Sequence, residues 1–511
     1  MTEAGPPPSG WDPRNSALVV LALGTVMRFL LAESIGLGVD ESYAVAVSRQ
    51  LALSYFDHPP LHFWIAGAIA KLAHSESREV VRLPFVLCFA LTTWLMYRLG
   101  ARLFGERAGA IAALLLNVSA VFSLSTGGWV LPDGPLMLFM LASTLVIAGV
   151  LLEATPSRAT LRWALAGLFA GLAMLSKYHG AFVVAGAFAF LLTSAPHRWW
   201  LRTPGPWVFA AVASACLAPV IVWNYRHGWV SFRFQGGRAA GTGGIHPETM
   251  LANIGAQAAW VLPWIWVPLV AALWGALRRG TSDARRWFLV CLAIGPLAGF
   301  TLIALHGSVG LPHWQAPGYL MLFPLLGSAV AARLERGDTL ARRWLGASVW
   351  GFAGLVLLLG SHTATGWLDR LFPAAFAKGD PTGDTVDWRL LKPALQSHGL
   401  LPLDGFIAAP SWIQASKAAI GLGPDVKVLC LCADPHHFYY MQNDSAFLGA
   451  NAVIAKKVTE NDDVPAEFAP YFEEITPLDV VPVMRAGQVV MRVALYRAKG
   501  FRKLFPTEQP R

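Results

Sequence analysis

The chain has 511 residues, of which 55% are hydrophobic and only 14% charged, with a net charge of +9 and a mean hydropathy of +0.49. Soluble domains run nearer a quarter charged, so this composition excludes an ordinary soluble globular protein. The basic excess does not point to nucleic acid, because the arginines sit in short loops between apolar blocks rather than along one surface.

Residues 1–15 are polar and Pro-rich and read as a cytoplasmic tail. The apolar block at 16–35 has no small-residue cleavage site, so it reads as a retained first span rather than a removed signal peptide. Further apolar blocks follow near 80–101, 108–126, 133–152, 161–177, 180–196, 206–223, 257–277, 286–306, 313–334 and 343–361. Crossing a hydrocarbon core takes about 20 helical residues, which gives about eleven spans. The loop arginines (Arg98, Arg102 and Arg107; Arg158 and Arg162; Arg198 and Arg202; Arg278, Arg279, Arg285 and Arg286; Arg333, Arg336, Arg342 and Arg343) all fall on one side, with Arg14. The positive-inside rule makes that side cytoplasmic. The other side receives 36–79, 127–132, 224–256, 307–312 and the tail 362–511.

The tail carries more charge and no long apolar run. Short β-rich stretches at 426–432, 452–455 and 489–496, a turn at 485–488 and a helical stretch at 466–475 predict a small α/β domain. The five cysteines are scattered: Cys88, Cys216 and Cys291 in apolar blocks, Cys430 and Cys432 in the tail. Their spacing indicates neither a zinc site nor a disulfide framework. No internal repeat of the kind found in secondary transporters is present.

Segment 36–79 predicts two interfacial amphipathic helices, one with the stripe Ala44, Val47, Leu51 and Tyr55, the other with Leu61, Trp64, Ala68 and Leu72. The pattern does not require Asp40-Glu41 at the exit of the first span, nor Asp57-His58 before Pro59-Pro60. Carboxylates at the lipid boundary are costly and call for a reason. Asp40 and Asp57 could be helix caps, as could Asp133 in its Pro-Asp-Gly-Pro turn. Lys177 could simply snorkel, and Trp314 could be an interfacial belt residue.

As a set, these residues carry a family resemblance. Asp40-Glu41 followed by Tyr43, the run Tyr55-Phe-Asp57-His58-Pro-Pro-Leu61 with Trp64, Arg82-Leu-Pro84, Leu131-Pro-Asp133-Gly-Pro135-Leu136, Ser176-Lys177-Tyr178-His179-Gly180 and Pro312-His313-Trp314 resemble the GT-C glycosyltransferases. The similar branch is the aminoarabinose-transferase-like and protein-mannosyltransferase-like group (glycosyltransferase 39/83-like), over residues 16–340. The resemblance implies a polytopic α-helical GT-C domain at 16–361, with a flexible loop at 224–256, and an extracytoplasmic α/β domain at 362–511. It implies a multi-pass protein of the bacterial inner membrane that moves a sugar, with inversion, from a polyprenyl-phosphate donor to a lipid A, glycan or protein acceptor.

The same resemblance puts Asp40 in the role of catalytic carboxylate, with Glu41 and Asp133 beside it. Tyr43, Asp57, His58, Arg82, Lys177, Tyr178, His179, Arg238 and His313 become candidates for donor phosphate or substrate, since a departing phosphate wants cations. Asp57-His58 stands where the aminoarabinose branch usually has an acid and a lysine, which leaves the sugar open. The 224–256 loop is rich in arginine and glycine, fitting either a lid or a tether. Asp40, Asp57, His58 and Asp133 offer oxygen and imidazole donors for a divalent metal, although no spacing demands one. A transporter or lipid flippase, or a non-catalytic envelope-assembly protein, are the competing classes. A transporter would place ionisable groups mid-span rather than at span ends on one side.

Overall fold

The computed structural model describes residues 12–153, 157–241, 243–308, 310–377, 379–458 and 464–506. Among the described residues, seven helices are long and apolar enough to cross a membrane: Pro13–Ser34, Arg78–Phe104, Asp133–Leu152, Ala159–Ser176, Ala284–Leu305, Ala316–Glu335 and Thr339–Thr365. Three further helix pairs, bent by 114°, 42° and 110°, bring the count to ten if each bent pair is one span. The expected span at 108–126 is not one helix. Glu106–Asn117 stops after 12 residues, and a wide turn follows at Val121–Ser125. A carbonyl freed there must be satisfied inside the protein. Arg28 of the first span does this, donating to the Ser123 carbonyl, the Ser123 hydroxyl and Asn117 Oδ1 at 3.2, 2.7 and 3.1 Å.

Small residues let the helices close on one another. A methyl added at Gly167 would lie 2.5 Å from the Phe209 carbonyl oxygen, and one at Gly171 2.5 Å from Cys216. The outer faces remain apolar: Leu23, Val26 and Leu30 of the first span and Trp350 and Leu357 of the last are exposed, as lipid-facing residues are. The loop arginines gather at one end. Arg102 and Arg162 both bond Glu153, Arg107 reaches Glu335, and Arg285 donates to the Leu103 carbonyl.

At the other end sits a five-stranded sheet: β1 Phe406–Ala409, β2 Val428–Cys430, β3 Ala452–Lys457, β4 Phe472–Arg485 and β5 Gln488–Phe501. The order is β2-β1-β3-β5-β4, with β1 parallel to β2 and β3, and β5 antiparallel to β3 and β4. Ala486-Gly487, both at positive φ, make the hairpin turn expected at 485–488. The predicted helix at 466–475 yields at Phe472 to the start of β4, where Phe472 packs into the sheet core with Phe406 and Phe501.

Two helices form in the first outward segment, at Val39–Ser48 and Leu61–Leu72, the first ending before Leu51 and Tyr55 of its expected stripe. Residues Glu41 to Ser48 are all buried, because the helix Trp412–Leu422 of the sheet domain covers the side left for the membrane surface. In Leu61–Leu72 the buried residues are His62, Phe63, Ala66 and Gly67, while Ala68 and Leu72 are exposed. Its apolar stripe therefore turns away from the protein interior, the facing an interfacial helix has. The 224–256 segment is also more ordered than a tether, being built of the helices Val230–Ala240 and Pro247–Val261 and the end of Ala218–Arg226.

Candidate active site

Gly38 caps the helix Val39–Ser48, and Glu41 at its third position closes a capping box on the Gly38 N–H at 2.9 Å. Asp40 is therefore not the cap. Glu41 is fully engaged: it also accepts from the Val130 N–H at 3.0 Å and from Arg82 Nε and Nη2 at 2.8 and 2.6 Å. Arg82 spends its remaining donors on the carbonyls of Ala32, Ile35 and Gly36. Although burial opposes ionisation, the Arg82 charge holds the Glu41 carboxyl below its ordinary value. Neither Glu41 nor Arg82 lines the cavity onto which the neighbouring Asp40 opens. Their bonds pin the first span, the first outward helix and the 127–132 loop together.

That clamp leaves Asp40 aimed into a cavity of about 490 Å³. The cavity brings together Asp40, Tyr43, Asp57, His58, Asp133, Lys177, Tyr178, His179, Arg238 and His313, ten residues from six separate stretches of sequence. Its walls are largely aromatic, with Phe63, Phe182, Phe234, Phe300, Trp314 and Trp412. An apolar cavity with a few convergent polar groups is the usual form of a ligand site.

The three carboxylates of this cavity differ in their partners. Lys177 Nζ reaches both Asp133 oxygens, at 2.9 and 3.2 Å, as a buried ion pair. Asp57 takes a hydrogen bond from the Tyr43 hydroxyl and one from His436 Nδ1, the latter at 2.5 Å. Burial pushes the Asp57 pKa up, but the hydrogen bond and charge of His436 hold it below its ordinary value. His436 is raised in turn: burial works against its charge, and the Asp57 contact outweighs it. Asp40 has no hydrogen bond or ion pair among the described residues. It keeps open surface toward the cavity while walled in enough for burial to raise its pKa, and the charges of Asp57 and Glu41 push the same way.

Two fixed cations face the cavity. Lys177 is committed to Asp133, whereas among the described residues the Arg238 guanidinium makes only ring contacts, 5.6 Å from the Phe234 centroid and 5.4 Å from that of Trp314. Burial, with Lys177 adding to it, lowers His58 and His313 to about 4, so both are neutral donors or acceptors at pH 7. Asp57 and Asp133 already hold His436 and Lys177, and among the described residues no group of three or more acids, histidines or cysteines is arranged to bind a metal.

Sequence reasoning missed several lining residues. Gln235 sits on the helix Val230–Ala240 and donates to the Asp57 carbonyl. His62 lies one turn after His58 with a buried, unpaired Nδ1. Most consequential are His436 and Trp412, which come from the sheet domain and whose ring centroids lie 4.6 Å apart, the rings tilted by 30°. Their only sequence signal is the dense run His436-His-Phe-Tyr-Tyr440, in a tail that carries no family motif.

Residues 57–223 match the sequence family described as dolichyl-phosphate-mannose-protein mannosyltransferase. The chain is similar to the undecaprenyl phosphate-alpha-4-amino-4-deoxy-L-arabinose arabinosyl transferase of Pseudomonas aeruginosa strain LESB58, at 29% identity over 60% of this chain. It is equally similar, 29% over 60%, to the lipid A galacturonosyltransferase RgtD of Rhizobium johnstonii. These matches span 56% and 64% of the relatives' own lengths. In fold it is similar to ArnT from Cupriavidus metallidurans bound to undecaprenyl phosphate, with a TM-score of 0.65 and 16% identity, covering 94% of this chain and 97% of that one. The archaeal oligosaccharyltransferase AglB of Archaeoglobus fulgidus follows at 0.51 and 11% identity, covering 88% and 70%. The chain therefore has the ArnT-like GT-C fold and is similar in sequence to aminoarabinose-transferase-like and protein-mannosyltransferase-like membrane glycosyltransferases, as its motifs implied.

Proposed function

We propose that this protein transfers a sugar from a polyprenyl-phosphate donor to an acceptor hydroxyl or amine at the non-cytoplasmic face of the bacterial inner membrane. The observation that carries this reading is a carboxylate, Asp40, unpaired among the described residues, in an aromatic cavity that also holds the guanidinium of Arg238, which among those residues meets only aromatic rings. The raised Asp40 pKa suits a general base, which works best poised nearer the operating pH. In the step proposed, the acceptor oxygen or nitrogen attacks the sugar's anomeric carbon and gives its proton to Asp40. The bond from that carbon to the phosphate oxygen breaks, and polyprenyl phosphate leaves with the electron pair, inverting the anomeric centre. Arg238 and Lys177 stabilise the charge on the departing phosphate, with His58 and His313 as neutral donors beside them. Asp133 fixes Lys177, and Asp57 with His436 joins the sheet domain to the cavity wall.

The arginine-rich end of the bundle supports an orientation with the site and the sheet domain facing the periplasm. Relatives named for undecaprenyl-phosphate-linked aminoarabinose and for lipid A make that carrier and lipid A the first donor and acceptor to test. Mass spectrometry of envelope lipids from cells with and without the protein tests the reading. A glycan-bearing lipid lost with the gene and restored with it is the expected result. An unchanged lipid and glycan profile would argue against it.

A further inference from the structure

The loop that delivers His436 begins at a pair of cysteines whose spacing gave no disulfide signal. Cys430 ends β2, and the chain bends through 432–433 before Asp434-Pro435-His436-His437. The bend brings the Cys430 and Cys432 side chains onto the same side, with their sulfur atoms 2.7 Å apart. Both residues are buried, Cys430 completely and Cys432 at 8% exposure, so each has the other as its sulfur neighbour. The remaining three cysteines lie within the helical bundle: Cys88 and Cys291 on spans, Cys216 at the end of Pro204–Cys216.

We propose that Cys430 and Cys432 are joined as a disulfide in the mature protein, and that this short ring holds the 431–437 segment so that His436 meets Asp57. The oxidation balances with a disulfide oxidant, protein-borne or small, of the kind an oxidising compartment supplies. Cys432, the more accessible sulfur, attacks the oxidant as thiolate and displaces one of its thiols. Cys430 then attacks Cys432 in the mixed disulfide and releases the second. Two thiol protons and two electrons leave the chain, and the oxidant departs as two thiols.

Within the sheet domain the segment is held by the Leu431 N–H on the Ala409 carbonyl at 2.9 Å, and by His436 against Asp434 at 3.3 Å and against the Trp412 ring. His436 bonds Asp57, the His437 N–H donates to the Tyr43 hydroxyl at 3.0 Å, and His437 Nδ1 accepts the Phe56 N–H at 3.1 Å. These three contacts cross to the first outward segment, so the loop's conformation depends on both sides. A covalent link at its root removes freedom that these contacts alone would have to overcome.

This inference rests on the periplasmic placement of the sheet domain in the proposed function, and the test separates the two. Membranes are quenched in acid, thiols are blocked under denaturing conditions without reductant, and the full-length protein is analysed by peptide mass. The peptide bearing Cys430 and Cys432 should carry no blocking groups and weigh two hydrogens less than its dithiol form. Cys88, Cys216 and Cys291 should all be blocked. Five blocked cysteines would overturn the proposal. Protease accessibility of the sheet domain in spheroplasts, measured in parallel, reports whether the placement also fails. In the purified protein, reduction should speed amide hydrogen exchange across 431–441 and leave the helix Asp133–Leu152 unchanged. Equal exchange in the oxidised and reduced forms would overturn the clamp. A Cys430→Ser/Cys432→Ser protein, which has no disulfide to reduce, should show no response to reductant.

Discussion

Replacing Glu41 by Gln tests whether this acid is a structural clamp or part of the chemistry. Glu41 and Arg82 have side-chain exposures of 2% each, and the carboxylate accepts from the Gly38 and Val130 N–H groups as well as from two guanidinium nitrogens. The amide keeps the shape but loses the charge and replaces one acceptor with a donor facing Arg82. Breaking a buried ion pair by removing one partner costs about 3–5 kcal/mol. At about 1.4 kcal/mol per decade, that is roughly two to three and a half decades in the folded-to-unfolded ratio. Membrane proteins commonly unfold irreversibly, so the fitting assay is the inactivation half-life of detergent-solubilised protein at fixed temperature, read by size-exclusion chromatography. We expect a sharp loss of half-life, and transfer per correctly folded molecule close to that of the parent. A Glu41→Gln protein as long-lived as the parent but without transfer would refute the clamp and return Glu41 to the catalytic group.

Other outcomes follow from the cavity. Arg238→Ala should raise the KM for a polyprenyl-phosphate donor by about 10–100-fold, as expected for losing one charged contact of about 1.5–3 kcal/mol, with a smaller effect on acceptor KM. Lys177→Gln leaves Asp133 buried without its partner and should impair both donor use and half-life. Adding Asp133→Asn should restore the half-life but not the transfer. The pH profile should be bell-shaped. Asp40, raised by burial and by Asp57 and Glu41, sets an acid limb above the ordinary aspartate range. His436 sits above its ordinary value, so its pairing with Asp57 stabilises fully below about 6.5 and is lost as pH rises through the raised folded value. Asp57, held below its ordinary value, keeps its side of the pair until pH falls through that lower value. Transfer should therefore fall on the alkaline side, and His436→Gln should lower the plateau and abolish that limb, as seen in initial rates across pH.

Much of the site was legible because its residues sit where spans meet outward loops. Acids and bases at those boundaries, such as Asp40, Asp133 and Lys177, stand out against an apolar background. What could not be read was which member of an acidic pair would be consumed. The Gly38 cap decides it, turning Glu41 inward to Arg82 and leaving Asp40 at the second helical position facing the cavity. Hydrophobic periodicity also carried the first outward helix past its end at Ser48, and it did not show that Trp412–Leu422 would cover that helix. The contribution of the sheet domain was hidden by distance, since His436 and Asp57 are 379 positions apart and joined only by tertiary docking. The broken 108–126 span likewise depends on Arg28, an intramembrane cation whose partners lie about ninety residues away in sequence.

The most direct test of the central claim is Asp40→Asn, assayed with a purified polyprenyl-phosphate sugar and an acceptor lipid. General-base catalysis by a positioned side chain contributes about 10²–10⁴-fold. The variant should lose transfer by at least the lower of these factors, while keeping the parent's inactivation half-life and its affinity for polyprenyl phosphate. Undiminished transfer from a native-like Asp40→Asn protein would contradict the account.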